Sequence, residues 1–205
     1  LYYHSHTAEL APFVSRDVDV LGDRETLTAL GQVAGARPQF FPVKPPTNEV
    51  GVVIAKDSQG LPLLIEVLRY VHGVSNEELR EPVYTVALGN VQVQVPSPIA
   101  LFQAKIANVA DLAQSGRQDA RHVLILAQLL PAYLRDLQRA AVAGGMPERQ
   151  LIDYLERLLG VVTTAKAKKV LETLKIDPAG LFAGLGDQKL PKLAAFLEKR
   201  LPRVL

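Results

Sequence analysis

The hydrophobic pattern of this chain changes once, at Pro96-Ser97-Pro98, and this change most limits the folds open to the chain. Before it, short apolar stretches alternate with polar residues, which is the period-2 pattern of β-strands. After it, apolar residues recur every three or four positions, as they do in helices. The sequence therefore predicts an α+β protein, with a sheet domain over residues 1–96 and a helical domain over residues 97–205.

The same patterns place the individual elements. They predict a strand at 17–21, a helix at 24–34 and a proline-rich connection that includes at most one short edge strand. Two hairpins follow, with strands at 50–56 and 61–68, and at 83–88 and 91–95, joined by the turn sequences Asp57-Ser58-Gln59-Gly60 and Gly89-Asn90. Helical patterns then cover residues 98–114, 117–142, 147–159, 163–175 and 188–201.

Composition excludes several kinds of site. The 205 residues contain no cysteine, which excludes disulfides and thiolate chemistry. The four histidines show no zinc-binding spacing. No apolar stretch is long enough to span a membrane, and the chain does not start like a signal peptide. We therefore expect a soluble, cytoplasmic protein with no membrane partner.

Asp17 and Asp19 form the first candidate site. They lie two residues apart on a predicted strand, so both side chains project from one face of the sheet, while Val18 and Val20 are expected to face the core. Two carboxylates at this spacing suit a hard cation such as Mg²⁺, which takes its other ligands from water and phosphate. The alternative is an exposed strand edge that carries two aspartates without binding a metal.

Glu66 is a candidate third carboxylate, because it interrupts an otherwise apolar predicted strand. An ionised glutamate in a buried strand is costly unless it meets a cation or a partner. If its strand lies beside the strand of the two aspartates, the three carboxylates share one metal site. The alternatives are an exposed glutamate on an edge strand or one paired with a nearby arginine such as Arg69. Asp57 competes for the third role, but turn chemistry explains its position better.

The stretch Ser15-Arg16-Asp17-Val18-Asp19-Val20-Leu21 resembles the metal-binding strand of the nucleotidyltransferase superfamily, in which a Ser or Thr precedes two aspartates that alternate with apolar residues. Within that superfamily the chain is most similar to the AbiEii-like bacterial nucleotidyltransferases, some of which are toxins of toxin–antitoxin systems. Pro98, Lys105 and Gly116-Arg117-Gln118-Asp119 resemble that group's later pattern of a proline, a helical lysine and a "G-R-x-K-D" segment.

The resemblance implies a mixed sheet with helices, followed by a helical C-terminal domain, and Mg²⁺-dependent transfer of a nucleotide from an NTP to a hydroxyl. It implies that Asp17, Asp19 and Glu66 bind the metal. Lys105 would contact phosphates, although a lysine whose stem packs on the core while its ammonium reaches water is the plain alternative. Asp119 would orient Lys105 or the acceptor hydroxyl, although a helix start favours a carboxylate anyway. Ser15 belongs to the implied nucleotide-binding segment.

Three departures from the family pattern leave a second function open. No Gly-Gly or Gly-Ser pair lies in residues 1–16, and because the chain starts with Leu1 we expect natural residues upstream. Glu66 replaces the common Asp, and Gln118 replaces a basic residue. The alternative is a non-catalytic module of the same fold that binds a nucleotide, RNA or a protein.

Two partners follow from the resemblance and the charges. The acceptor is RNA, such as tRNA, a protein or a small molecule, and residues 144–205, with 11 Lys/Arg against 7 Asp/Glu, slightly favour RNA. Lys166, Lys168 and Lys169 either touch RNA or form a solvated helix face. An antitoxin-like protein that contacts the helical region is the other expected partner.

Overall fold

The structure, a computed structural model, describes residues 17–42, 48–80, 83–88, 91–186 and 189–205. Two compact units emerge from its internal contacts, residues 11–76 with their sheet and residues 77–205 with most of the helices. The α+β class predicted from the sequence is confirmed.

The described residues of the sheet unit form four strands and one helix. In chain order these elements are β1 (Asp17–Leu21), α1 (Arg24–Ala34), β2 (Gln39–Phe40), β3 (Glu49–Lys56) and β4 (Pro62–Leu68). The strand order across the sheet is β1-β4-β3-β2, with β1 parallel to β4 and the other pairs antiparallel. The predicted strands, including the short edge strand, are therefore confirmed.

Helix α1 begins and ends where its sequence dictates. The Asp23 carboxylate accepts a hydrogen bond from the Thr26 N–H, and the Thr26 hydroxyl accepts one from the Asp23 N–H, which makes a capping box. Gly35, with φ 60°, ends the helix in the left-handed conformation that glycine adopts without strain. Leu27 then packs with Val53 and Val67 of the sheet. Helix α1 therefore covers one face of the sheet.

The helical unit contains a hairpin and the remaining helices. Its elements are α2 (Asn76–Arg80), which the unit boundary crosses, β5 (Val83–Leu88), β6 (Val91–Pro96), α3 (Pro98–Asp111), α4 (Asp119–Val142), α5 (Glu148–Thr163), α6 (Ala165–Thr173), a 3₁₀ turn (Ala179–Phe182), α7 (Pro191–Ala195), a π-helical segment (Phe196–Arg200) and α8 (Leu201–Val204). Ser97 caps α3 by accepting a 3.1 Å hydrogen bond from the Ala100 N–H.

Three local features differ from the predictions. Helix α5 does not end at Gly160 but continues to Thr163, because a single exposed glycine costs a helix only about 1 kcal/mol. Val18 is 44% exposed rather than turned into the core, because β1 lies at the edge of the described sheet. Helix α2 was not predicted, since five residues are too few to show a periodic pattern. The predicted Gly89-Asn90 turn lies outside the described residues.

The hairpin β5–β6 belongs with the helices. The Tyr84 hydroxyl lies 2.5 Å from the Tyr133 hydroxyl of α4, and the two rings meet edge to face. Burial and the hydrogen bond between them raise the pKa of Tyr133, so both groups stay neutral. The units accordingly divide between Asn76 and Glu77, whereas the sequence pattern predicted a division near residue 97. Within the described residues, no helix is long and apolar enough to cross a membrane.

We expect Gly51→Ala to destabilise the sheet unit by about 3 kcal/mol. A Cβ at this position would lie 2.1 Å from the Gln39 carbonyl oxygen and 2.7 Å from the Leu27 side chain, so β2 or α1 must shift. Urea denaturation of the variant and the wild type would measure the loss.

Gly60→Ala is the matched control in the same unit. Gly60 also has a positive φ, 78°, but a Cβ there meets nothing within 4 Å. We expect a loss of about 1 kcal/mol from backbone strain alone. Equal losses in the two variants would contradict the close-packing explanation for Gly51.

Candidate functional site

The carboxylates predicted to bind metal lie on one face of the sheet. In the parallel pairing of β1 with β4, Asp19 is opposite Glu66 and Asp17 is opposite Leu64. Residues opposite each other in a sheet project to the same side, so all three carboxylates share a face. Helix α1 packs on the other face, through Val53 and Val67. The two strands therefore lie side by side, which was the condition for a shared site, while the metal-binding role stays a prediction.

Glu66 is the electrostatically perturbed member of this group. Its burial, the negative charges of Asp19 and Glu49, and a hydrogen bond shared with Asp19 raise its pKa to about 7; Asp17 adds a smaller repulsion. A carboxyl that holds its proton near neutral pH can donate a hydrogen bond to the neighbouring carboxylate. Without a cation, the site therefore relieves its charge repulsion by keeping a proton.

Glu49 is a residue that the sequence interpretation missed. It begins β3 opposite Leu68, beside the irregularity in the register at Gly51. Its carboxylate repels that of Glu66 more strongly than Asp17 does. Glu49 could not be recognised from the sequence, where it follows a proline-rich connection, because only the pairing of β3 with β4 brings it near Glu66.

The fit to a metal ion is partial. Carboxylate oxygens are the ligands that Mg²⁺ prefers, and Mg²⁺ commonly completes its shell with waters and phosphate oxygens. In the part of the chain that the structure describes, however, no three His, Asp or Glu side chains are arranged to hold a metal ion. Asp57 is not part of the site, since its carboxylate accepts hydrogen bonds from the Gln59 and Leu61 N–H groups of its turn. Ser15 lies outside the described residues.

A second charged cluster, the Lys105 cluster, lies in the helical unit and consists of Lys105, Asn108, Arg117 and Asp119. Asp119 is buried at the start of α4, and its carboxylate accepts hydrogen bonds from the Lys105 ammonium at 3.1 Å, the Asn108 amide at 3.2 Å and the Arg117 guanidinium at 2.6 Å. Burial alone would raise the pKa of Asp119, but the three donors outweigh it and lower the pKa. Asp119 is therefore ionised and fully bonded.

The Lys105 cluster bears on two alternatives left open by the sequence. Lys105 does not simply extend into water, because its ammonium is fixed on Asp119. Of the roles considered for Asp119, the orientation of Lys105 is the one supported by an observed contact, the hydrogen bond between the two side chains. Asn108 was not foreseen, although its position one turn after Lys105 puts both on one helix face.

The chain matches no protein-family model, and no curated protein matches it significantly.

We expect the raised pKa of Glu66 to make metal-free protein less stable as the pH rises. The folded state holds the proton more tightly than the unfolded state, where the ordinary pKa is 4.5. The stabilisation is therefore complete below 4.5 and is lost as the pH rises to about 7. Glu66→Gln, which cannot ionise, should remove this decline. Thermal melts of both proteins across this pH range, with a chelator present, would measure it.

Glu49→Gln serves as the partner variant. It removes one of the two strongest repulsions on Glu66, so the decline in stability should persist but end at a lower pH. An identical pH profile for wild type and Glu66→Gln would exclude a perturbed Glu66.

We expect Asp119→Asn to cost about 2–3 kcal/mol of stability at neutral pH, because it leaves Lys105 and Arg117 without their shared carboxylate. The folded pKa lies below the ordinary value of 3.8, so the contribution is present above 3.8 and is lost as the pH falls through the folded value. The difference between variant and wild type should therefore shrink in acid. Urea denaturation at neutral and acidic pH would measure both effects.

Asp111→Asn is the control for this substitution. Asp111 pairs with Lys166 at 2.7 Å, but the lysine is 66% exposed, so water screens the pair. We expect a cost below about 1 kcal/mol. A cost as large as that of Asp119→Asn would show that burial does not explain why the Asp119 ion pairs contribute more to stability than the Asp111 ion pair.

Proposed function

We propose that the protein is a metal-dependent nucleotidyltransferase that moves a nucleotide from an NTP to a hydroxyl acceptor. The observation that supports this best is the register that places Asp19 directly opposite Glu66, with Asp17 on the same face. Like-charged groups in register destabilise a sheet. An arrangement that costs stability in the metal-free protein is expected where a cation compensates it during function.

In this proposal Asp17, Asp19 and Glu66 hold Mg²⁺ through their carboxylate oxygens. When bound, Mg²⁺ would neutralise charge on the phosphates and help to align them for in-line displacement. The perturbed pKa of Glu66 gives the chain a second task, because the carboxyl must release its proton before it can become a ligand. Occupancy of the site by metal is therefore expected to increase as the pH rises through about 7.

The proposal also gives Lys105 a phosphate-binding role, as the family resemblance implies. A lysine ammonium has three N–H donors, and the bond to Asp119 uses one of them. The side chain keeps 27% of its surface exposed, so a phosphate oxygen can reach the remaining donors. In this role Asp119 is a positioning residue, which holds the ammonium in one place.

We expect Mg²⁺-dependent NTP binding by the wild type and its loss in Asp17→Asn/Asp19→Asn. Each amide removes a negative charge and leaves a weaker metal ligand, while the exposed position of both residues protects the fold. Calorimetric titration of each NTP, with Mg²⁺ and with a chelator, would measure the affinity at a pH above 7, where Glu66 is ionised.

Asp57→Asn is the matched control, since the new side chain can still accept the hydrogen bonds of the turn and should leave NTP binding unchanged. Binding that is equal in all three proteins would place the site elsewhere. Binding without turnover, for any acceptor, would favour the non-catalytic module of the same fold. No binding by folded wild type would refute the proposed function.

A further inference from the structure

The positive charge of the helical unit is concentrated at its C-terminal end. Residues 77–205 contain 17 Lys/Arg and 13 Asp/Glu, an excess of four positive charges. Residues 189–205 contain five Lys/Arg and one Asp/Glu, which is also an excess of four. This final segment therefore accounts for the whole excess of the unit, and the rest of the unit is balanced.

The segment is a helix with one face fixed to the core. Leu193 and Phe196 are buried among the core residues of the unit. The Glu148 carboxylate of α5 accepts hydrogen bonds from the Lys192 and Leu193 N–H groups at 2.6 and 3.0 Å. Further along, Arg200 binds the Glu156 carboxylate through two nitrogens. These contacts at both ends determine which side of the helix faces solvent.

The side that faces solvent carries Lys192, Lys199 and Arg203, which we call the C-terminal basic face. All three residues are exposed, and none forms an ion pair with another residue in the described ranges. They lie within twelve residues of one another, on consecutive α-, π- and α-helical segments between Pro191 and Val204. At about 1.5 Å per residue or less they extend over at most roughly 16 Å, the length of about five phosphates of one nucleic-acid strand.

The side chains of this face favour one anionic partner, a phosphate backbone, over a membrane surface or stacked bases. A helix that binds a membrane surface inserts its apolar side between lipids. Here that side is buried against the protein, through Leu193 and Phe196. Aromatic rings that could stack on bases are also missing from the exposed side of described residues 189–205, since Phe196 is buried. What remains is a row of cations that suits a repeating phosphodiester charge without reading the bases.

We propose that the C-terminal basic face binds the phosphate backbone of nucleic acid, independently of base sequence. The contacts are electrostatic, so the affinity falls as salt is added. The surface belongs to the helical unit, and this proposal does not rest on the function proposed for the carboxylates of the sheet unit.

The test is binding of a fluorescent single-stranded oligouridine of about 20 nucleotides, followed by anisotropy from about 50 to 200 mM salt. The variant is Lys192→Gln/Lys199→Gln/Arg203→Gln, whose exposed substitutions leave the buried face intact. We expect at least a tenfold weaker affinity at low salt. The slope of log affinity against log salt should fall in magnitude by about 2, because three contacts contribute roughly 0.7 each.

The control is Arg37→Gln/Lys56→Gln/Arg80→Gln, which removes the same charge from exposed side chains outside the face. We expect its affinity to stay within about twofold of the wild type, because these side chains are not part of the proposed binding face. An equal loss in both variants would show that net charge, not this face, binds the strand, and would overturn the proposal.

Two other results would also overturn it. One is the absence of binding by the wild type at low salt. The other is binding to vesicles of phosphatidylserine and phosphatidylcholine without binding to the oligouridine, which would make the face a membrane contact. Asp17→Asn/Asp19→Asn should bind the oligouridine like the wild type, and the triple glutamine variant should keep its NTP binding. Failure of either proposal is thus recognised separately.

Discussion

The parallel pairing of β1 with β4 is the constraint on which the candidate site depends. Backbone hydrogen bonds determine the register, and in this register Asp19 and Glu66 lie side by side on adjacent strands. The two carboxyls cannot both be charged at low cost, so Glu66 keeps its proton to about pH 7. The backbone of the sheet, rather than the side chains, thus brings these two carboxyls together. The opposite face, packed on α1, supplies the rigidity that holds this arrangement.

In the Lys105 cluster the electrostatic situation is the reverse of that around Glu66, because the carboxylate is surrounded by hydrogen-bond donors and not by other carboxylates. One buried carboxylate, Asp119, is surrounded by three donors, and the hydrogen bonds compensate for the loss of water. Such a cluster joins α3 to the start of α4 and leaves two cations partly exposed beside it. Structural and functional roles are compatible here, because the same contact that stabilises the helix pair also orients the Lys105 ammonium.

The sequence predicted the strands and most helices well because their apolar periodicity is strong. It could not determine the end of α5, because Gly160 is a weak helix breaker in a helix held by its buried face. It also missed Glu49, whose importance arises only when β3 and β4 pair. Asp19 and Glu66 could be proposed as neighbours from residue types alone. Whether β1 lies beside β4 or beside another strand, however, depends on long-range packing that local patterns do not encode.

The Tyr84–Tyr133 contact has a consequence for how this chain can be divided. The change of pattern at Pro96-Ser97-Pro98 suggests a natural cut, yet a fragment starting there would lose the hairpin and leave the Tyr133 hydroxyl without its bonded neighbour. The compact unit that contains the hairpin therefore begins within α2, ahead of the hairpin. The secondary-structure class of a segment thus does not determine which compact unit the segment belongs to. What matters is where its buried side chains find their partners.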